Sequence, residues 1–443
     1  MKKIVGGIVV ILILAGLGSP FICGLVMERI VRETFNNLNQ VYVESGHDVS
    51  VEIVRYDRGF SSSEIEWRIK FGRLKALYDI DEVVFVDRAE HGLSGIVTKT
   101  SLEKNKWYSD FVAGKLAGKD PLHITTTYKM TGGIATTTAV DAFAIEAEQE
   151  TFTIKPGSFT LVCDKEFRKF ASEASWEGMA VADKLTMNGI SLKSDLTRIS
   201  SYIWDGQAHF VMQSVKAKGE GDIDQMELAN LKVDYLLSYN KERNTLSAKA
   251  EYGADSITAG PEKIGNIFAR LGVSGLDAGR FEEFMKLYTA TMNGFLAEMA
   301  NAKDDPEKMK VLMEKQMATI GFQLVAAGEK LLTKGLEFQI SDLHLQLPEG
   351  EIKGDVTLSL KKDMTLAEFM PVVNQPELAL DILFLKSAAS LPEKLVGDAP
   401  MLFAPLYPGM QTGLFIKSGD NVQHSAETRD GKLFLNDKEV VLK

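Results

Sequence analysis

Ile65-Glu66-Trp67-Arg68-Ile69-Lys70-Phe71 sets an apolar side chain at every second position and a charged one between. A period of two belongs to a strand with one buried and one wetted face, whereas a helix needs spacings of three and four. The same alternation lies just upstream at Val51 and Ile53, across Arg58-Gly59, and a further strand covers Val83–Val86. Downstream, His123–Thr131 and Ile134–Phe143 flank Gly132-Gly133, a hairpin signal. Thr151–Ile154 and Ser158–Cys163 flank Pro156-Gly157, a second turn signal. Val233–Tyr239 and Leu246–Tyr252 read as a hairpin.

Leu185–Leu196, Met226–Ser238 and Phe338–Leu347 share one look. Each is a strand-like run, a small or polar interruption, and a second alternating stretch, which together make a weak β repeat. Pro348-Glu349-Gly350-Glu351 turns the chain toward Val356, Leu358 and Leu360. A strand is expected over Leu378–Leu385, and a terminal hairpin over Val422–Thr428 and Lys432–Leu435 around Asp430-Gly431.

Helical spacing occurs in three places. From Met27 to Gly46, Ile30, Val31, Phe35, Leu38, Val41 and Tyr42 recur every three or four residues. Ser101–Leu116 reads as a short helix with Trp107, Phe111, Val112 and Leu116 on one face. Asp277–Asn301 and Pro306–Thr333 form an αα-hairpin, with Asp305 as N-cap and Pro306 at the first helical position. Ser390-Leu391-Pro392-Glu393 has capping-box spacing and predicts one more helix start.

The chain begins with Lys2 and Lys3 and then an uncharged, mostly apolar run, Ile4–Met27. As a helix this run reaches about 36 Å, enough for a hydrocarbon core of about 30 Å. The lysines predict a cytoplasmic N-terminus and an exported C-terminus. The competing reading is a signal peptide cut before Ser19, but apolar character resumes at Phe21–Met27, which favours an uncleaved anchor.

Hydrophobic content of 45% with 25% charged residues is that of a globular chain and excludes disorder. A net charge of −11 argues against general affinity for nucleic acid or anionic lipid headgroups, and local basic patches remain compatible with it. Cys23 and Cys163 are the only cysteines, and one lies in the apolar run, so the remainder has a single thiol and no internal disulfide.

His47, His91, His123, His209, His344 and His424 form no zinc-binding pair. Gly272-Val273-Ser274-Gly275 lacks the spacing of a nucleophile elbow and reads as a turn. No P-loop or dinucleotide fingerprint is present. The chain is therefore expected to be non-enzymatic, with no catalytic, cofactor or metal residues. One stretch stands out as a recognition loop: Tyr56, Asp57, Arg58, Gly59 and Phe60, where Gly59 is expected to supply a special φ and Arg58 to pair with a carboxylate.

Several short segments together resemble the YdgA-like family of bacterial envelope proteins. They are Ser19-Pro20-Phe21, Tyr56-Asp57-Arg58-Gly59-Phe60-Ser61-Ser62, Glu90-His91-Gly92 (a turn) and Asp430-Gly431-Lys432-Leu433-Phe434-Leu435-Asn436. The family pattern ends on Asn-Gly; here Asn436-Asp437 replaces it and still permits a tight turn. The resemblance implies an inner-membrane protein facing the periplasm, and it carries over no active-site residues.

The expected fold is α+β: an N-terminal transmembrane helix, then a long twisted, mainly antiparallel β-sheet ectodomain with an inserted αα-hairpin. Its parts are an anchor at 1–27, a juxtamembrane helix at 28–46, a β-rich part at 47–276, the helical hairpin at 277–333 and a second β-rich part at 334–443. A sheet with one apolar face needs a cover. That leaves a structural or interaction role in the envelope, with self-association, as the first expectation. Binding of lipid or another hydrophobic ligand in an apolar groove is the alternative, and a periplasmic enzyme is disfavoured. The expected partners are the lipid bilayer, a second copy and a lipid ligand.

Overall fold

A computed structural model describes residues 24–72, 80–92, 95–147, 150–218, 225–302, 305–365, 367–368, 371, 375–395, 409–410 and 412–441. The apolar run Ile4–Met27, and the anchor expected there, lies outside these residues except for its last four. Among the described residues, no helix is long and apolar enough to cross a membrane. They form a large, open antiparallel β-sheet with a few helices. The chain divides into two compact units. One comprises Met1–Ala182, Ser191–Tyr202 and Met292–Met313, and the other comprises Asp183–Ile190, Ile203–Thr291 and Glu314–Lys443.

The first unit opens with helix α1 (residues 24–44). Strands β1 (Val49–Arg58), β2 (Ser62–Phe71), β3 (Glu82–His91) and β4 (Gly95–Ser101) follow. After helix α2 (Lys106–Lys115) come β5 (Leu122–Lys129), β6 (Ile134–Val140), β7 (Phe143–Ala147), β8 (Glu150–Ile154), β9 (Gly157–Cys163) and β10 (Lys169–Val181). Strands β1 to β6 pair in sequence, β9 pairs with β6, and β10 with β9.

The alternation at Ile65 and Trp67 turns those side chains onto α1. Met27, Val31 and Phe35 meet Val51, Ile65, Ala89, Ile96 and Tyr128 in one core. Burying each large member stabilises by roughly 1.5–3 kcal/mol. Asn39 fixes the helix in register: its Nδ2 donates to the Val51 carbonyl at 2.7 Å, and its Oδ1 accepts from the Val51 N–H at 2.8 Å. A helical side chain thereby substitutes for a neighbouring strand.

Strand β11 (Leu185–Arg198) contributes to both units. The second unit contains β12 (Trp204–Lys218), β13 (Gln225–Asn240), β14 (Thr245–Ala259), β15 (Glu262–Asp277), β16 (Glu337–Leu347), β17 (Gly350–Leu360) and β18 (Leu383–Pro392). The chain ends with β19 (Ile416–Ser418), β20 (Asn421–Arg429), β21 (Lys432–Leu435) and β22 (Lys438–Val440). Strands β12 to β18 pair in sequence, and β20 to β22 extend the order from β18. Helices α3 (Ala278–Ala302) and α4 (Pro306–Glu329) intervene between β15 and β16, as the αα-hairpin pattern predicts. Asp305 caps α4: its Oδ1 accepts the Lys308 N–H at 3.0 Å.

Several local expectations are corrected. Strands β8 and β9 do not pair with each other across Pro156-Gly157; both lie along β10, so the chain jogs there instead of reversing. Ser390–Pro392 is the end of β18, held by pairing with Lys353 and Asn421, and the expected helical turn begins just after it, at Lys394. Leu378–Leu385 begins as helix, and the strand starts only at Leu383. Helix α2 buries none of its residues, and Trp107 faces solvent. Glu90 and His91 continue β3, and the expected turn falls at Gly92, whose N–H donates to the Gly95 carbonyl at 2.8 Å; buried His91 Nε2 lies 2.8 Å from Ser63 Oγ. Asn436 and Asp437 do make the tight turn, at φ 47° and 60°, joining β21 to β22.

Candidate hydrophobic-ligand groove

Register in the second unit lines apolar residues up across strands. Ala208, Tyr235, Ala250, Leu271, Ile340 and Val356 stand opposite one another from β12 to β17. Two residues away, Gly206, Leu237, Ala248, Val273, Phe338 and Leu358 form a second row. Paired residues share a face, as do i and i+2, so both rows point the same way. Small Ala248 and Ala250 on β14 lie between larger neighbours on β13 and β15 and leave a trough. The resulting groove measures about 650 Å³ and is lined almost wholly by these two rows. Tyr235, Leu271, Phe338, Ile340 and Val356 remain 39–44% exposed, so the described residues leave this apolar face uncovered. Contiguous apolar surface of this kind marks an interaction or ligand site.

The same face is closed at both ends. At one end Leu336, Leu360, Met364 and Ile382 pack with Leu276 and Leu332. At the other, Leu391 and Val422 pack with Ile352, Met410 and Phe415. Left-handed residues interrupt the strands at Gly189, Asn230, Asn266 and Asp342, with φ between 47° and 61°. The register skips at Asp342, between Ile340 and Leu343. Three of these residues are the interruptions of the weak repeat seen in the sequence. Such bulges bend a strand and raise its twist.

Polar groups adjoin the rows at two places. The hydroxyls of Tyr235 and Tyr252 lie 3.2 Å apart, a contact that raises the Tyr235 pKa. On β18, Ser387 stands opposite Val356, extending the first row, and its Oγ lies 2.8 Å from His424 Nε2. The opposite face of the sheet is charged: Arg270 donates to Glu251 at 2.7 Å and also pairs with Asp342, and His209 pairs with Asp234.

The expected recognition loop belongs to the first unit. Tyr56, Asp57 and Arg58 end β1, and Gly59 and Phe60 form the hairpin tip. Arg58 does pair with a carboxylate, Glu28 at 3.1 Å, and Glu28 also holds Arg32 at 3.0 Å. The Arg32 guanidinium lies 5.6 Å from the centre of the Tyr56 ring, and burial raises the Tyr56 pKa. Asp57 pairs with Arg55 at 2.9 Å. Gly59 has no left-handed φ, contrary to expectation; a Cβ there would come within 2.9 Å of the Ser62 carbonyl oxygen, so space is the constraint.

Sequence reasoning missed the groove residues as a set. Gly272–Gly275 lies inside β15 and is not a turn, so Val273 is a lining residue. The signal was present in the alternation of each strand, but not in which positions face each other. Among the described residues, no group of three or more His, Cys, Asp or Glu side chains could hold a metal ion.

Fold and groove define a large open antiparallel β-sheet protein with a ligand-sized apolar trough on one face. The chain belongs to a bacterial family whose model is described as "Bacterial protein of unknown function (DUF945)" and matches residues 1–443. No curated protein and no solved structure matches it.

Proposed function

We propose that this protein is a non-enzymatic, membrane-anchored component of the bacterial envelope that holds the hydrocarbon part of a lipid along the β13–β17 groove. The observation that carries this reading is the groove itself. Its volume falls within the roughly 300–1,000 Å³ of small-molecule sites. Its lining is apolar apart from Lys249 and Gln339, which alternate out of the two apolar rows, and no carboxylate borders it. The run Ile4–Met27 supports the source of the ligand, since a transmembrane helix there puts the sheet beside a bilayer. The YdgA-like resemblance supports an inner membrane with the sheet in the periplasm. A flat apolar face would suit a scaffold or a second copy, whereas a trough floored by alanines suits a chain-like ligand.

The test is mass spectrometry of lipids retained by the full chain and by an Ala250→Trp variant, both purified in the same detergent. Lipid held by an anchor is common to both proteins. Stoichiometric lipid present in the first and lost from the second supports the groove. Equal lipid in both defeats it and returns the scaffold reading to first place.

A further inference from the structure

The hairpin tip that stood out in the sequence is tied to the point where the apolar run ends. Residues 1–23 precede α1, and the run continues to Met27 in the first turns of that helix. Arg58 at the tip grips Glu28 on α1. Gly24 of α1 lies so close to His91 that a Cβ there would come within 2.4 Å of the ring, which holds this part of α1 against β3. The tip is therefore held beside the first turns of α1.

At this level the surface has a mixed character. Arg29, Arg32 and Arg58 converge on a cleft of about 500 Å³, with Leu25 on its wall. Arg32 and Arg58 both pair with Glu28, and Glu33 pairs with Lys165, so the cleft lining carries three arginines against two glutamates on a chain of net charge −11. Phe60 at the hairpin tip is 61% exposed, and Leu25 and Val26 on α1 are exposed as well. Guanidinium groups suit phosphate, and aromatic rings suit the headgroup level of a bilayer.

We infer that Arg29, Arg32, Arg58 and Phe60 form a collar that engages the anionic phospholipid surface around the exit point of the apolar run. The inference rests on the anchor reading above and is independent of the groove. The arginines meet lipid phosphates, and Phe60 enters the interface. Single basic side chains bind an anionic surface only weakly, so the collar orients the first unit and does not replace the anchor.

The test uses the full chain with Cys23→Ser and Phe60→Cys, carrying a polarity-sensitive fluorophore at position 60, in nanodiscs of phosphatidylglycerol or phosphatidylcholine. Cys163 is buried and does not compete for label. The expected result is blue-shifted emission in phosphatidylglycerol, a smaller shift in phosphatidylcholine, and a loss of the difference in Arg29→Glu. Arg29 is exposed, so this variant keeps the fold. Water-like emission in phosphatidylglycerol, or unchanged emission in Arg29→Glu, overturns the collar alone. A chain that does not enter the discs overturns the anchor and the collar together.

Discussion

Ser387 Oγ lies 2.8 Å from His424 Nε2, and Nδ1 of the same ring lies 2.9 Å from the Leu414 carbonyl oxygen. A carbonyl only accepts, so Nδ1 carries the hydrogen and Nε2 receives that of Ser387. His424 thus links β18 to the segment that closes one end of the apolar face, where its ring also lies 5.5 Å from that of Phe415.

From this pairing, Ser387→Ala is expected to cost about 0.5–1.5 kcal/mol in denaturant unfolding. His424→Ala removes the tie to Leu414 as well. Hydrogen exchange at Leu414 and Phe415 should then rise in His424→Ala and stay unchanged in Ser387→Ala. Equal exchange in the two variants would show that the histidine does not hold the segment.

On the groove floor, Ile340 is exposed, so Ile340→Asn should change stability by no more than about 1 kcal/mol. It should nevertheless weaken binding of a hydrophobic fluorescent dye to the native protein. Gln346→Asn, in the same strand but outside the groove lining, serves as the control. Equal dye binding in the two variants would show that the apolar rows do not form the dye site.

Asp87 is 2% exposed, and burial raises its pKa against the opposing hydrogen bond from Thr100 Oγ1 at 2.6 Å. The folded state therefore keeps a proton that the unfolded chain loses at lower pH. The stability from this proton is full below the ordinary Asp range and is lost as pH rises through the folded pKa. Asp87→Asn should then be more stable than the parent at pH 8, with the gap closing toward pH 4. A gap that widens in acid contradicts this.

Cys163 is buried beneath the first unit's core, and burial pushes its thiol up to about 11. Thiolate is the reactive form. Maleimide should label Cys163 slowly at pH 8 in the folded protein and rapidly in denaturant. Fast labelling in the native protein would place the thiol at the surface.

Asp305 satisfies an N–H at the first turn of α4, so Asp305→Ala should cost about 0.5–2 kcal/mol. Asp305→Ser should recover most of it. Thermal melts followed by circular dichroism would register both changes.

Local chemistry by itself determined much of this protein. Strict alternation at Ile65, Trp67, Ile69 and Phe71 requires a one-sided strand, and Asp305-Pro306 requires a helix start, because each pattern matches the geometry of a single element. Gly132-Gly133 and Asp430-Gly431 likewise mark turns whose φ values few other residues accept. The interruptions at Gly189, Asn230 and Asp342 were legible as positions, since small or Asx residues tolerate the left-handed region that a bulge needs. The tertiary structure decided the rest. Pro156-Gly157 permits either a reversal or a jog, and the pairing of both flanking strands with β10 chose the jog. Ser390–Pro392 has the letters of a helix cap, but a full ladder to β17 and β20 keeps it in the strand and delays the helical turn to Lys394. The groove is the plainest case. Tyr235, Ala250, Leu271, Ile340 and Val356 are spread over 122 positions of the chain. Alternation gives each strand an apolar face, but only the pairing register sets those faces side by side and places Ala248 and Ala250 between larger neighbours, where the trough lies.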